Sequence, residues 1–569
     1  MSAANDTDGA SRRSGAEPDA SDRPDVGDRP DVGDRPNVSK ARRVPRALVW
    51  LLLGALVLRL ALVLAPPEDL FEKGAPNQEE ILRGVAAVEL IDGPVAPLFD
   101  YQVNHFWGGS LVTSFLAVPV FLVFGAKLWA LRLVGIGFAL ASVYFAFVLL
   151  DRFASRRAAW IGAGLLAFAP PGYAYLTCMV FGTHLESNAL ALWLAWTWFE
   201  WRAHDRGGPW RTASFGVASG FALYFGYGLL VVLLLIATFE FARDKRFLFR
   251  RDMWPYAGGF LVGFAPWIAY AAHHGFRGFD VYDAGIFEHF VEGVTRGTSL
   301  DLQGLVRVSP LDKVGAMVTT DFPRALWFEG ALGVDTLVVG RVLTCLVGLV
   351  LLVVAWRVRG EIAAYASGIV TRTAWRERPS LGVFALGFVA LYVVAWGASD
   401  FSIGAAGFVL DYRYLMPFWP FVCVAVGIGA AACLERRGVV RAATIALVLL
   451  VPLASAGSTL ARCRPAFASE AIAMPATSTK WFVRQLVVRF GEDPRRMVSV
   501  VQRIETRRTG EARDGLLQWI GTGLRALGAG PEGDARERAK RVMYRRTLQT
   551  LYERASPNER AWYAPAPPR

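Results

Sequence analysis

Apolar stretches of about 20 residues, each long enough to cross a hydrocarbon core of about 30 Å as a helix, recur along most of this chain between short polar turns. About eleven spans are predicted on that basis. They lie near residues 47–65, 129–150, 158–179, 187–201, 212–226, 227–242, 254–273, 336–356, 380–398, 413–433 and 439–460. The run Gly108 to Gly125 is apolar as well. Counting it as a crossing would send the segment DRFASRR outward and invert every later basic turn, so it reads as a helix dipping into the outer interface.

With that choice the basic turns share one side: Arg152/Arg156/Arg157, Arg202/Arg206/Arg211, Arg243 to Arg251, Arg357 to Arg378 and Arg436/Arg437/Arg441. An excess of Lys and Arg marks the cytoplasmic side. The outer side then receives residues 66–128, the short GTHLES turn near 181–187, the loop 274–335, the approach to the tenth span, and everything after about 460.

The two ends differ from the middle. Residues 1–44 lack apolar periodicity and carry DRPDVG, DRPDVG and DRPNV in tandem from Asp22, a composition that buries no core and predicts a disordered cytoplasmic tail. The polar leader is too long for a secretory signal, and Lys40, Arg42, Arg43 and Arg46 before the first span keep it inside. Residues 461–569 are polar and basic, with helical patterns such as Lys480 to Phe490 stopped by Gly491. They predict a small soluble helical domain on the outer face. The expected fold is therefore all-α: a polytopic transmembrane protein with outer juxtamembrane helices, divided into a tail (1–44), a transmembrane domain (45–460) and a C-terminal domain (461–569).

Composition agrees with this pattern. The 569 residues are 54% hydrophobic with 19 tryptophans, too apolar for a soluble protein of this size. The net charge of +12 would suggest nucleic acid, but the cations sit in short clusters between spans and report topology instead. Of five cysteines, Cys178, Cys345, Cys423 and Cys433 lie in apolar runs and Cys463 in polar sequence, with no disulfide framework or metal-ligand spacing.

The stretch after the first span holds the first candidate chemistry. In PNQEEILRGVAAVELIDG, Ile81, Val85 and Val88 share one helical face, which predicts an amphipathic helix on the outer surface. Its adjacent carboxylates, Glu79 and Glu80, have an ordinary structural reading: Asn77 caps the helix with Glu80 as its reciprocal partner, and Glu79 pairs with Arg83 one turn on. Cations on the outer side run against the topological bias, and Arg59, Lys127, Arg132, Arg341 and Arg413 are five of them. Each either snorkels to the interface or faces an anion at the outer leaflet. His184 and Glu186 in the GTHLES turn suit either sugar-hydroxyl recognition or helix capping, and His105 beside Trp107 suits sugar stacking or interfacial anchoring. His273, His274 and His289 beside the long outer loop have no metal-ligand spacing and His204 falls on the cytoplasmic side, so no metal is assigned.

These features resemble the GT-C class of membrane glycosyltransferases, in particular the branch of protein O-mannosyltransferases and lipid A aminoarabinose transferases. The resemblance is carried by Glu79-Glu80 and ELIDG, then HFWGGSLVTSFLAVPVFLVFG, then LWALRLVGIGFALASVYFAFVLLDRFASRRAAW. FGTHLESNALALWLAW is similar to the family's second outer loop, and DYRYLMPFWPF to its RYLLP-type start of a late span. The similarity covers roughly residues 45 to 460. The family's first acidic residue is usually Asp, where this chain has Glu79, one methylene longer.

The resemblance implies a glycosyltransferase that moves a sugar from a polyprenyl-phosphate donor to a glycan, lipid or protein acceptor at the outer face of the cytoplasmic membrane. No cofactor and no nucleic-acid partner are implied, and membrane lipids surround the spans. Such a reaction needs a carboxylate to take the acceptor proton, and Glu79 with its neighbour Glu80 is the candidate. It also needs cations for the leaving phosphate: Arg413 first, then Arg132, Lys127, Arg59 and Arg341. His184, Glu186 and His105 are the candidates for sugar or acceptor binding. Two rivals stay open, a transporter or lipid flippase and a catalytically silent relative. Against transport, no related halves with interrupted helices are visible.

Overall fold

A computed structural model describes residues 45–65, 78–101, 108–203, 208–273, 299–300, 307–327, 336–371, 379–398, 409–463, 483, 486–487, 490–529 and 535–564. The expected disordered tail, residues 1–44, lies outside the described residues, as do Asn77 and His105.

The described residues are overwhelmingly helical, and the protein is a multi-pass membrane protein. In chain order the first helices are α1 (Arg46–Leu64), α2 (Gln78–Asp92), α3 (Gly109–Phe124), α4 (Leu128–Phe153), α5 (Arg156–Ala167) and α6 (Pro171–Leu176). There follow α7 (Ser187–Ala203), α8 (Gly208–Phe225), α9 (Leu230–Arg243), α10 (Trp254–His273), α11 (Pro310–Ala316) and α12 (Phe322–Leu326), the last two joined by a π-turn over Met317–Asp321. Four long apolar helices close the transmembrane part: α13 (Thr336–Arg357), α15 (Leu381–Ala398), α16 (Trp419–Leu434) and α17 (Val439–Arg462), with α14 (Arg359–Thr371) after α13. Two-residue strands at Ser299–Leu300 and Arg307–Val308 pair antiparallel.

Among the described residues, six stretches are long and apolar enough to cross a membrane: Arg46–Leu64, Leu128–Phe153, Leu337–Arg357, Leu381–Ala398, Tyr412–Leu434 and Val439–Ala461. The expected count of about eleven is thus not reached by length and composition, for local reasons. The expected span 158–179 is two helices, because Pro170 and Pro171 lack N–H groups and α5 ends at Ala167. Helices α7 and α9 run 17 and 14 residues, and α8 and α10 are diluted by glycine and polar residues.

Burial sorts the bundle. In the Tyr412–Leu434 stretch 72% of the window is buried, against 6% for Val439–Ala461 and 11% for Leu337–Arg357, so the first is central and the other two peripheral. The main core gathers residues of α1, α4, α5, α7, α9, α15 and α16. Arg152 at the end of α4 pairs with Glu200 near the end of α7 (2.9 Å), and Arg202 with Glu240 in α9 (3.1 Å). These ends therefore lie together, at the turns the charge pattern assigned to one side. Helices α8 and α10 approach through reciprocal glycines: a Cβ on Gly216 or Gly220 would meet the Tyr256 or Phe260 carbonyl, and one on Gly259 or Gly263 the Ala213 or Val217 carbonyl. Small residues four apart permit such close packing where apolar burial gives helices no mutual drive.

The C-terminal part is a helical unit of α18 (Pro494–Arg507), α19 (Gly510–Gly528), α20 (Ala535–Arg554) and α21 (Arg560–Tyr563). Asp493 caps α18 with Oδ1 on the Arg495 and Arg496 amides, and Met497, Val500, Val501 and Ile504 form its buried stripe. Its apolar cluster continues into Ala86, Val95, Ala96, Tyr101 and Leu111, so it packs on α2, the segment after it and the start of α3.

Candidate active site

Helix α2 places the two glutamates in its first turn, where carboxylates are favoured by the helix dipole. Adjacent helical residues point about 100° apart, so the two side chains have different surroundings. Glu80 turns into the bundle and is fully buried. Arg132 of α4 holds it in a two-pronged pair, Nε to Oε1 at 2.9 Å and Nη2 to Oε2 at 3.0 Å, and the Val180 amide donates to Oε1 at 3.4 Å. Both oxygens are thus engaged by α4 and the backbone at Val180, while the Asn77 side of the expected capping box lies outside the described residues. The same geometry takes Arg132 out of the set of phosphate-facing cations.

Glu79 keeps a quarter of its side chain exposed and receives a hydrogen bond from Arg413 Nη2 to Oε1 at 3.2 Å, across 334 residues of chain. Arg413 sits in a 3₁₀ turn, Val409–Tyr414, ahead of α16, largely buried. The same Nη2 donates to the Tyr414 hydroxyl at 3.0 Å, and the guanidinium lies 4.6 Å from the Tyr414 ring and 5.3 Å from that of Phe181. Aromatic faces on a guanidinium fix its plane.

A second arginine supports the glutamate from behind. Arg83 is buried, with Nη1 on the Glu79 carbonyl at 2.6 Å and Nη2 on Ser110 Oγ at 3.0 Å. Ser110 lies at the start of α3, and that helix reaches the turn at Gly182 through glycines. A Cβ on Gly109 would stand 1.8 Å from the Gly182 carbonyl oxygen, and Gly182 itself takes φ +87°. Only glycine allows both.

The turn from Phe181 to Ser187 brings in His184 and Glu186. His184 is buried, edge-on to Phe181 (6.0 Å) and Tyr414 (4.7 Å). Burial, with Arg413 and Arg83 nearby, pushes its pKa well below the ordinary value, so the ring is neutral at neutral pH. Glu186 is buried too and accepts from the Gly182 amide at 2.9 Å. Desolvation lifts its carboxyl to about 7, against the pull of backbone amides and Arg83.

Beside this group opens a cleft of about 540 Å³, its mouth included, lined by Thr183, His184, Asn188, Tyr227, Tyr392 and Tyr414 among others. Asn188 donates to the Tyr173 hydroxyl at 2.9 Å, and the Tyr392 hydroxyl donates to the Tyr414 carbonyl. Tyr414 thus joins the cleft wall to the Arg413–Glu79 contact.

The remaining sequence candidates lie elsewhere or do other work. Arg59 is fully buried in α1 and donates to the Ala167, Leu166 and Ala55 carbonyls and to Thr177 Oγ1, at 2.9 to 3.3 Å. It closes the carbonyl end of α5 where the prolines interrupt the chain, which corrects its assignment to phosphate. Lys127 stands exposed at the N-cap of α4, and Arg341 is exposed with Nε on the Thr319 carbonyl at 3.0 Å. Sequence reasoning passed over Tyr392, and it saw Arg83 only as a helix-pair partner. It also passed over Lys313, buried with its ammonium 4.7 Å from the Trp396 ring centre. A Ser309-Pro310 cap signalled the helix of Lys313 but not its burial.

Comparison with known proteins gives two findings, and no curated protein matches the sequence. Among solved structures, ArnT from Cupriavidus metallidurans, crystallised with undecaprenyl phosphate, shares 12% identity over 91% of this chain and 84% of its own, with a TM-score of 0.44. Residues 109–270 match the family described as dolichyl-phosphate-mannose-protein mannosyltransferase, a stretch running from α3 through the 181–187 turn to α10. Over that stretch the chain is similar to the mannosyltransferases, and its resemblance to the GT-C-type membrane glycosyltransferases is shown.

Proposed function

We propose that this protein is a glycosyltransferase that moves a sugar from a polyprenyl-phosphate donor to an acceptor hydroxyl at the outer face of the cytoplasmic membrane. The observation that carries the reading is the contact of Glu79 with Arg413, 3.2 Å between side chains 334 residues apart in the chain, next to Tyr414 of the cleft wall. The family description supports a lipid-phosphate donor, because it names dolichyl-phosphate-mannose.

Glu79 takes the proton of the acceptor hydroxyl as its oxygen attacks the anomeric carbon, and the bond from that carbon to the phosphate oxygen breaks with inversion. The polyprenyl phosphate leaves with the bonding electrons, so the cation is needed where its charge grows. Arg413 meets that need: a guanidinium carries five N–H groups and can hold a carboxylate and a phosphate together. Tyr392, Tyr414 and the neutral His184 offer the sugar an aromatic wall with polar edges.

The test is transfer from radiolabelled polyprenyl-phosphate sugars by membranes carrying the protein. Glu79→Gln should lower kcat by at least about a hundredfold, the lower end of the range for a lost general base, with the protein folded and inserted. Full activity in that variant would remove Glu79 from the mechanism.

A further inference from the structure

The C-terminal helical unit lies outside the stretch that matches the mannosyltransferase family, yet it grips the helix that carries Glu79. The grip is on the opposite end of α2. Arg508, just after α18, donates from Nη2 to Glu89 Oε1 at 2.9 Å, from Nη1 to the Asp92 carbonyl at 3.0 Å and from Nη2 to the Gly93 carbonyl at 3.5 Å. Arg507 adds a bond to the Pro94 carbonyl. The second oxygen of Glu89 accepts from the Tyr101 hydroxyl at 3.2 Å, and that hydroxyl accepts from the Val95 and Ala96 amides at 2.8 and 3.1 Å.

The last carbonyls of a helix have no partner within it, and a cation there is favoured by the helix dipole. Arg508 supplies both needs from another part of the chain. Helix α2 is therefore pinned twice: Arg132 holds its first turn through Glu80, and Arg508 holds its last turn through Glu89. At about 1.5 Å per residue the two pins are roughly 14 Å apart, enough to set both the axis and the rotation of the helix. Rotation matters because Glu79 and Glu80 are separated only by their angle around it.

We infer that the C-terminal unit is a brace that aligns the α2 helix, with Arg508 the positioning residue that acts on Glu79 through Glu89. The inference rests on the reading of Glu79 as the base. Releasing the brace leaves the cleft and Arg413 in place and lets the carboxylate wander, so kcat falls while donor binding persists. A misplacement of about 1 Å at a reacting group is enough for a loss of about a hundredfold.

The experiment compares the full-length wild type with Arg508→Ala, Arg508→Lys and Glu89→Gln. One measurement is transfer kinetics with polyprenyl-phosphate mannose, and the other is amide hydrogen exchange over residues 80–92 and 494–528. Expected are a kcat lower by about tenfold to a hundredfold in Arg508→Ala with the donor KM within about threefold, and partial recovery in Arg508→Lys. Residues 80–92 should exchange faster while 494–528 stay protected. If Arg508→Ala also unprotects 494–528, Glu89→Gln decides, since it lies outside the C-terminal unit and must still lower kcat and loosen 80–92. Unchanged exchange over 80–92 in both Arg508→Ala and Glu89→Gln would overturn the brace. Exchange needs no turnover, so an inactive wild type would count against the proposed reaction and leave this test standing.

Discussion

Removing either member of the Glu80–Arg132 pair tests whether the second glutamate is structural or chemical. The pair is two-pronged at 2.9 and 3.0 Å, and its side chains are 5% and 0% exposed, so neither charge has water to fall back on. Unit charges about 4 Å apart attract by about 4 kcal/mol at an effective dielectric constant of about 20, and stripping one partner from a buried pair costs about 3–5 kcal/mol. Glu80→Ala and Arg132→Ala should each destabilise the protein by that amount. Glu80→Leu combined with Arg132→Met removes both charges and keeps the volume, so it should recover most of the loss. Equilibrium denaturation in mixed micelles reads the free energies, and transfer activity per folded molecule is measured beside them. Single variants within about 1 kcal/mol of wild type, or a double variant no better than the singles, would refute the reasoning. A stable but inactive Glu80→Ala would give Glu80 a place in the chemistry.

Two further outcomes are expected. Arg59→Met removes the donors to the Leu166 and Ala167 carbonyls, and each buried orphan costs about 1–3 kcal/mol; the melting temperature should drop while the donor KM holds, whereas a raised KM at unchanged stability would return Arg59 to the phosphate. For Glu186 the folded pKa, about 7, lies above the ordinary 4.5, so its neutral form is the one the fold prefers. Stability is therefore fullest below pH 4.5 and declines as the pH rises through 7, by up to roughly 3 kcal/mol. Glu186→Gln should flatten that dependence and exceed the wild type in stability at pH 8; a parallel pH profile in both proteins would count against it.

The helical membrane architecture was legible because apolar runs and basic turns are properties of short windows. The exact crossings were less so. Pro170-Pro171 looked like part of one apolar run and in fact splits it, and the cost of that split is met by Arg59 from a different helix. Nothing local could reveal that partner. The GTHLES turn and the DYRY segment were found as motifs, but their meeting point was set by three-dimensional packing: Gly109 against Gly182, Arg413 between Phe181 and Tyr414. The partner of Glu80 was equally out of local reach: Arg132 lies 52 residues away, while the cap residue Asn77 lies outside the described residues.

The charges gathered around Glu79 explain why this arrangement suits an anionic donor under the proposed reaction. Around Glu79 stand two guanidiniums, Arg413 and Arg83, and a second carboxyl, Glu186. His184 adds nothing, since its ring is neutral. With Glu186 near the midpoint of its titration at neutral pH, the group carries less negative charge than its two carboxyls imply, and the balance is positive. A fixed positive balance in a poorly solvated site attracts a phosphate and costs no rearrangement when the phosphate's charge grows. The desolvation that raises the Glu186 pKa and the aromatic packing that fixes Arg413 are thus two parts of one arrangement, which sets the partly exposed carboxylate of Glu79 beside a guanidinium.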